Sequence, residues 1–178
     1  MNYIKISNCD TANGTGIGVV LWVSGCNFHC HGCHNPQTWD FNVGQLFTED
    51  TMQELLDALN KPYISRLTLS GGHPLESQNL ETVYQIVKTV KEKFPNKKIW
   101  LYTGYTWEEI LNNDRENKRA NTNSISPFDI VRCCNILVDG KYEKDKRDIS
   151  LAFAGSSNQR VIDIQKSFKQ NKVVLFCD

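Results

Sequence analysis

Cys26, Cys30 and Cys33 fall within eight residues, interleaved with His29 and His31 and followed at once by His34. The spacing is C-x3-C-x2-C. Thiolates this close converge on one metal centre only if the backbone loops around it, and Gly32 with its neighbours permits such a loop better than a helix would. The other cysteines are Cys9, Cys133, Cys134 and Cys177, seven in all. No charged segment followed by an apolar one opens the chain, so no secretory leader and a cytoplasmic setting are expected. In a reducing compartment, clustered cysteines point to metal or redox chemistry rather than to a disulfide framework.

Four readings of the cluster compete. Unligated thiols are common core residues, but three in eight residues among histidines make a poor apolar core. Structural zinc would take the three cysteines and one histidine. Such sites usually use two separated ligand pairs, and Cys133-Cys134 is adjacent. Cys30-His31-Gly32-Cys33-His34 matches the C-x-x-C-H of c-type haem attachment, which calls for export and leaves Cys26 without a role. An iron–sulfur cubane normally takes four thiolates. Three would leave one iron open to a small-molecule ligand, as a catalytic metal site requires.

The elements that must hold these residues follow from hydrophobic pattern. Residues 17–23 form a continuous apolar run, read as a strand buried on both faces and running straight into Ser24-Gly25-Cys26. Residues 48–59 read as a helix capped by Thr48, with Met52, Leu55, Leu56 and Leu59 on one stripe. A strand at 66–70 stops at Gly71-Gly72-His73-Pro74. A second helix covers about 79–94, and a strand at 98–102 ends in Thr103-Gly104-Tyr105. A short helix runs from Trp107 to about Leu111, and the polar stretch 112–126 reads as a surface loop. Residues 135–138 form a strand ending in Asp139-Gly140, and 173–176 read as a last strand.

Alternating strands and helices predict a mostly parallel α/β sheet with crossovers. At 178 residues the chain is too short for a full eight-unit barrel, so an open partial (β/α) barrel in a single domain, 1–178, is expected. Ligands bind beyond the C-terminal ends of parallel strands. Four motifs meet there: the cysteine cluster, Gly71-Gly72-His73-Pro74, Tyr102-Thr103-Gly104-Tyr105 and Asp139-Gly140.

Lys plus Arg equals Asp plus Glu at 20 each, for a formal net charge of zero. That argues against a chain held to nucleic acid by phosphate contacts. No apolar run approaches the ~18 residues of a membrane span.

The order C-x3-C-x2-C after one strand and Gly-Gly-x-Pro after another resembles the radical S-adenosylmethionine (AdoMet) enzymes. Six phrases resemble, more narrowly, the family of activating proteins of anaerobic ribonucleotide reductase. They are Trp22-Val23-Ser24-Gly25-Cys26, Gly32-Cys33-His34-Asn35-Pro36-Gln37-Thr38-Trp39, Leu69-Ser70-Gly71-Gly72, Trp100-Leu101-Tyr102-Thr103-Gly104-Tyr105-Thr106, Leu137-Val138-Asp139-Gly140 and Gly155-Ser156-Ser157-Asn158-Gln159-Arg160. The likeness runs from about residue 1 to 166.

The resemblance implies that Cys26, Cys30 and Cys33 hold a [4Fe-4S] cluster whose fourth iron is chelated by AdoMet. One electron from the cluster would cleave AdoMet to methionine and a 5′-deoxyadenosyl radical. That radical would take a hydrogen from a glycine of the reductase's large subunit. It implies that subunit as partner and an electron donor such as a flavodoxin or ferredoxin. Gly71 and Gly72 would let backbone approach the methionine part of AdoMet. Gly32, Cys33 and His34 would pass beside its adenine, His34 offering a ring for stacking or a hydrogen bond.

Other assignments stay open. Asp139 is a ligand for the ribose, a cation or a partner, or else an ordinary turn residue. Asn158, Gln159 and Arg160 form either a contact with the reductase or a solvated strand. Cys9, Cys133, Cys134 and Cys177 read as core thiols, and Trp22, Trp100 and Trp107 as core or interface. Two positions depart from the superfamily pattern. Gly32 stands where an aromatic residue is common, which fits the narrower family, and His73 stands where an acid is common. A neutral His73 could accept a hydrogen bond from the AdoMet ammonium in that acid's place. Rival functions are a radical AdoMet enzyme acting on a small metabolite or peptide, and a zinc-binding interaction module.

Overall fold

A computed structural model describes residues 1–119 and 124–176. In chain order the strands and helices are β1 (Asn2–Asp10), β2 (Gly18–Val23), β3 (Gln45–Leu46), α1 (Glu49–Leu59), β4 (Arg66–Gly71), α2 (Leu80–Lys93), β5 (Lys98–Tyr102), α3 (Trp107–Arg119), α4 (Pro127–Val131), β6 (Ile136–Asp139), β7 (Arg160–Asp163) and α5 (Ile164–Gln170).

The strands form one sheet in the order β3-β1-β2-β4-β5-β6-β7. Its centre, β2-β4-β5-β6, is parallel. β1, β3 and β7 pair antiparallel at its flanks. The fold is thus mixed α/β, with the parallel strands where the apolar runs predicted them.

Register explains why those runs are continuous. Leu21, Leu69, Leu101 and Leu137 lie side by side across the four central strands and belong to the main core, with Leu55, Leu59, Val83, Val87 and Ile110 of the helices. The next register row is Val20, Thr68, Trp100 and Ile136, on the opposite face. There Trp100, Ile136, Val138 and Val161 form a smaller core closed by Phe153 and Phe176. Both faces are covered, so both phases of each strand are apolar or paired.

That second face also buries a charge. Arg66 is wholly buried, and its Nη2 donates to Asp10 Oδ1 at 2.8 Å while Nη1 donates to Thr68 Oγ1 at 2.9 Å. Burial pushes the Asp10 carboxyl up, but hydrogen bonds from Arg66 and Asn13 outweigh it and hold the group below its ordinary value.

Helix α1 starts as expected. Thr48 Oγ1 accepts from Thr51 N, and the Thr51 hydroxyl in turn accepts from Thr48 N. Several expectations need correction. α3 continues past Leu111 to Arg119, through residues read as loop. Its start is held by a box between Thr106 and Glu109, and its polar sequence is that of a surface helix with a narrow apolar stripe. α4 begins directly after that stretch, a helix the sequence reading did not include, capped by Ser126 with Pro127 at its first position. The rest of that predicted loop, residues 120–123, lies outside the described residues, as does Cys177. Residues 173–176 form no full strand but lie along the outer edge of β7, with an isolated antiparallel bridge between Leu175 and Ile162 and bonds from Asp163 N to Val174 O and from Phe176 N to Val161 O. Among the described residues, no helix is long and apolar enough to cross a membrane.

Candidate functional site

β2 delivers the chain to the cysteine loop through a tight backbone crossing. Gly25 N donates to Thr38 O at 2.7 Å, Cys26 N to Trp39 O at 3.0 Å, and Ser24 Oγ to Val43 O at 2.8 Å. Gly25 has φ of 91°, and a Cβ there would lie 2.1 Å from the Phe41 ring. The loop then turns at Gly32 (φ 75°), with Cys33 N bonded to Cys30 O at 3.0 Å.

The ends of the parallel strands enclose a cavity of about 340 Å³ lined by Cys26, Cys30, His34, Gly71, Gly72 and His73, among others. Four of the strand-end motifs therefore reach one space: Thr103, Gly104 and Gly140 also line it. Gly32 and Cys33 do not. Gly32 is exposed and faces the stem of Lys144, and Cys33 is half-buried. His34 is exposed, its ring 5.0 Å from that of Tyr142.

The thiols sit where a positive centre would be welcome. Burial pushes the Cys26 thiol up, the Phe28 N–H pulls it down, and the charge of Glu76 pushes it up again, for a net rise. Cys30 rises too, through burial and the neighbouring Cys33, against the Tyr142 N–H and Lys141. Asn35 N donates to Cys33 Sγ at 3.3 Å. Backbone N–H groups aimed at sulfur favour the thiolate, the form that ligates metal. Among the described residues no three His, Cys, Asp or Glu side chains converge closely enough to hold one ion. A cubane does not require that, because each thiolate binds a different iron. Three free thiols on a Gly-containing loop, Cys26 and Cys30 lining the cavity, fit such a cluster better than a single zinc.

The two glycines at the end of β4 have a packing role beside any ligand role. Gly71 has φ of 105°, and a Cβ on it would lie 2.8 Å from Val23 N and O. A Cβ on Gly72 would lie 2.6 Å from Gly25 O. Gly72 N donates to Val23 O at 2.8 Å and His73 N to Gly25 O at 2.7 Å. The Gly-Gly turn is stitched directly to the start of the cysteine loop.

His73 does not turn free nitrogens to the cavity. Its Nδ1 lies 3.1 Å from Glu76 Oε1 and its Nε2 2.7 Å from Thr103 Oγ1, with only 2% of the residue exposed. Both ring nitrogens are engaged within the protein, so its side chain does not stand in for the acid common at this position.

Asp139 is a structural residue rather than a ligand. It is buried, it accepts from Trp107 N at 2.8 Å, and it pairs with Arg160. Arg160 also reaches Glu108, at 2.7 Å. Gln159 accepts from Gly155 N and donates to Gly140 O, each at 2.9 Å, while Asn158 Nδ2 donates to Lys141 O at 2.8 Å. The Asn-Gln-Arg phrase thus braces the segment between β6 and β7, although Gln159 also lines the cavity. Cys134 is buried, and its Sγ donates to Ile130 O. Cys133 is half-buried and packs against the main core, while Cys9 is exposed. Trp100 and Trp107 are core, and Trp22 lines the cavity with its Nε1 on Ser7 Oγ.

Sequence reasoning missed Asn27, Glu76 and the pair Lys141-Tyr142. Asn27 donates to Glu76 twice, from N and from Nδ2, both at 2.9 Å. Lys141 Nζ stands 4.7 Å from the centre of the Phe28 ring. Lys141 and Tyr142 follow Asp139-Gly140 directly, and that proximity to a strand end was the available signal.

A family profile described as a 4Fe-4S single cluster domain matches residues 12–162. The chain is similar to the anaerobic ribonucleoside-triphosphate reductase-activating protein of Enterobacteria phage T4, 43% identical over 161 residues, which is 90% of this chain and 93% of the relative. The protein of that name from Escherichia coli (strain K12) is 37% identical over 163 residues, 90% of this chain and 97% of the relative. Its counterpart in Pasteurella multocida (strain Pm70) is 38% identical over 161 residues, 89% and 95% of the two chains.

Proposed function

The chain belongs to the family of anaerobic ribonucleoside-triphosphate reductase-activating proteins, and from that premise we propose that Cys26, Cys30 and Cys33 hold its cluster while Gly32, Cys33, His34, Gly71 and Gly72 receive AdoMet. Its activity is the activation of anaerobic ribonucleotide reductase, and its cofactors are one [4Fe-4S] cluster and AdoMet. The observation behind the residue assignment is that the Cys26 and Cys30 thiols and the Gly71-Gly72 turn open on one cavity at the ends of parallel strands.

Held by Cys26, Cys30 and Cys33, a [4Fe-4S] cluster would supply the single electron for reductive cleavage of AdoMet to methionine and a 5′-deoxyadenosyl radical, the chemistry needed to take a hydrogen atom from a glycine of the reductase. The protein's share is to bind, orient and exclude. The cysteine loop offers three thiols with N–H donors aimed at them. The Gly-Gly turn presents backbone to the cavity floor. Lys141 and Tyr142 wall its outer side, with the Lys141 ammonium compensating thiolate charge at Cys30.

The sheet is read as an open partial barrel of the radical AdoMet type, a single domain working in the cytoplasm. The radical site is completed by the large reductase subunit, which closes the mouth against water and other quenchers. A flavodoxin or ferredoxin supplies the electron.

The test is anaerobic. The purified chain is loaded with iron and sulfide, reduced, and assayed for 5′-deoxyadenosine from AdoMet. Formation that depends on Cys26, Cys30 and Cys33 is expected. Zinc bound in place of iron, with no AdoMet cleavage, would overturn the reading.

A further inference from the structure

Glu76 is 7% exposed and carries no role so far. Its carboxylate collects three donors. Oε1 accepts from Asn27 N and faces His73 Nδ1, and Oε2 accepts from Asn27 Nδ2. Beyond His73 the chain of bonds continues through Nε2 to Thr103 Oγ1, which itself accepts from Tyr105 N at 3.1 Å. Burial pushes this carboxyl up, and the bonds from His73 and Asn27 bring it below its ordinary value. It is a buried anion, with three donors on its two oxygens.

The three groups it connects come from three places in the sequence. Asn27 follows Cys26 in the cysteine loop, His73 closes the Gly-Gly turn, and Thr103 stands just past β5. These are three of the four motifs that meet at the strand ends. We propose that Glu76 is a positioning residue of the site: beside the backbone bonds at Gly72 and His73 and the Asn79 bridge from Ser24 O to His73 O, its side chain ties the cysteine loop past Cys26 to the wall that receives AdoMet.

The proposal rests on the function given above. AdoMet must reach a cluster on the cysteine loop and the Gly71-Gly72 wall at once. A shift of about 1 Å between two such surfaces is enough to lose productive orientation. Glu76 does not line the cavity. It acts through Asn27 on one side and His73 on the other. Gln at this position keeps the shape but turns a donor toward the donors of Asn27 or His73, so one link opens.

The experiment compares the full-length wild-type chain with Glu76→Gln and Asn27→Ala, all loaded and handled without oxygen. Four quantities are read: iron per chain, melting temperature, AdoMet dissociation constant by equilibrium dialysis, and the change AdoMet makes in the electron paramagnetic resonance signal of the reduced cluster. Glu76→Gln is expected to keep the wild-type iron content and to weaken AdoMet about tenfold, equivalent to about 1.4 kcal/mol, with a blunted spectroscopic response. Asn27→Ala keeps the backbone bond and is expected to fall between the two. Wild-type AdoMet affinity and response in Glu76→Gln would overturn the proposal. So would loss of iron and melting temperature in Glu76→Gln while Asn27→Ala binds AdoMet as wild type does, since Glu76 would then only hold the fold. A wild-type chain that takes up iron but binds no AdoMet removes the functional reading itself, and the failure then shows in the control rather than in the variants.

Discussion

Asp139 and Arg160 face each other across the β6–β7 pair and share two hydrogen bonds, Nε to Oδ1 at 3.1 Å and Nη2 to Oδ2 at 2.5 Å. The same carboxylate caps the start of α3 through Trp107 N. A residue placed at a strand end, beside the cavity, is therefore occupied in joining a strand pair to a helix. Asp139→Asn is expected to destabilise the protein by about 1–3 kcal/mol, the cost of leaving charged partners short of an acceptor. It should leave iron uptake near wild type. Urea unfolding and iron analysis of the variant check both halves.

The buried Arg66–Asp10 pair sets a pH dependence. The Asp10 carboxyl lies below its ordinary 3.8 in the fold. Its stabilising contribution is therefore complete above the unfolded value and is lost as pH falls through the lower folded value. Asp10→Asn strands a buried guanidinium, at a cost of about 3 kcal/mol. Thermal melts of the two proteins should differ widely at neutral pH and converge in acid. Curves that stay parallel down to the acid limit would show that Asp10 is not the group responsible.

Alanine at Cys26, Cys30 or Cys33 is expected to abolish the cluster and AdoMet cleavage. Alanine at Cys9, which is exposed, should leave both largely intact. Iron content, visible absorbance and 5′-deoxyadenosine yield measure the difference. Full activity in Cys30→Ala would sink the ligand assignment.

Alanine at Gly71 or Gly72 tests packing apart from ligand binding. At Gly71 the cost combines left-handed backbone, about 1–2 kcal/mol, with a Cβ 2.8 Å from Val23 backbone atoms. Gly72→Ala drives its Cβ toward Gly25 O at 2.6 Å. Both apoproteins should melt well below wild type even with no AdoMet present. An unchanged melting temperature would mean that these glycines serve the ligand alone.

Which elements could be read from the chain depended on how much of the signal was local. β2, β4, β5 and β6 are covered on both faces and so stand out as apolar runs. β1 borders the sheet's thin edge and alternates polar with apolar residues, and β3 is two residues long. α3 was cut short because the residues after Leu111 are polar with no apolar period; its apolar stripe at Trp107, Ile110 and Leu111 ends before them. α4 was not read at all, although Ser126, Pro127 and Asp129, just past the polar stretch, carry the pattern of a helix cap. The cysteines and glycines of the site have distinctive spacing. Glu76 has none, since its partner Asn27 lies 49 residues away and nothing in either residue's neighbours names the other.

Trp100 gathers two distant segments on one ring. Phe153 meets it edge-on at 5.0 Å and Phe176 at 5.3 Å, and Tyr102 Oη, two residues along β5, donates to Phe153 O. Phe153 belongs to the same 140–156 stretch that supplies Lys141 and Tyr142 to the cavity. That stretch is consequently moored beneath the sheet, on the side away from the helices. A guest bulky enough to push the cavity's outer wall aside must also unseat these rings. The indole then serves as a strain gauge: widening at the mouth would register as wetting of Trp100, some distance from the point where the guest enters.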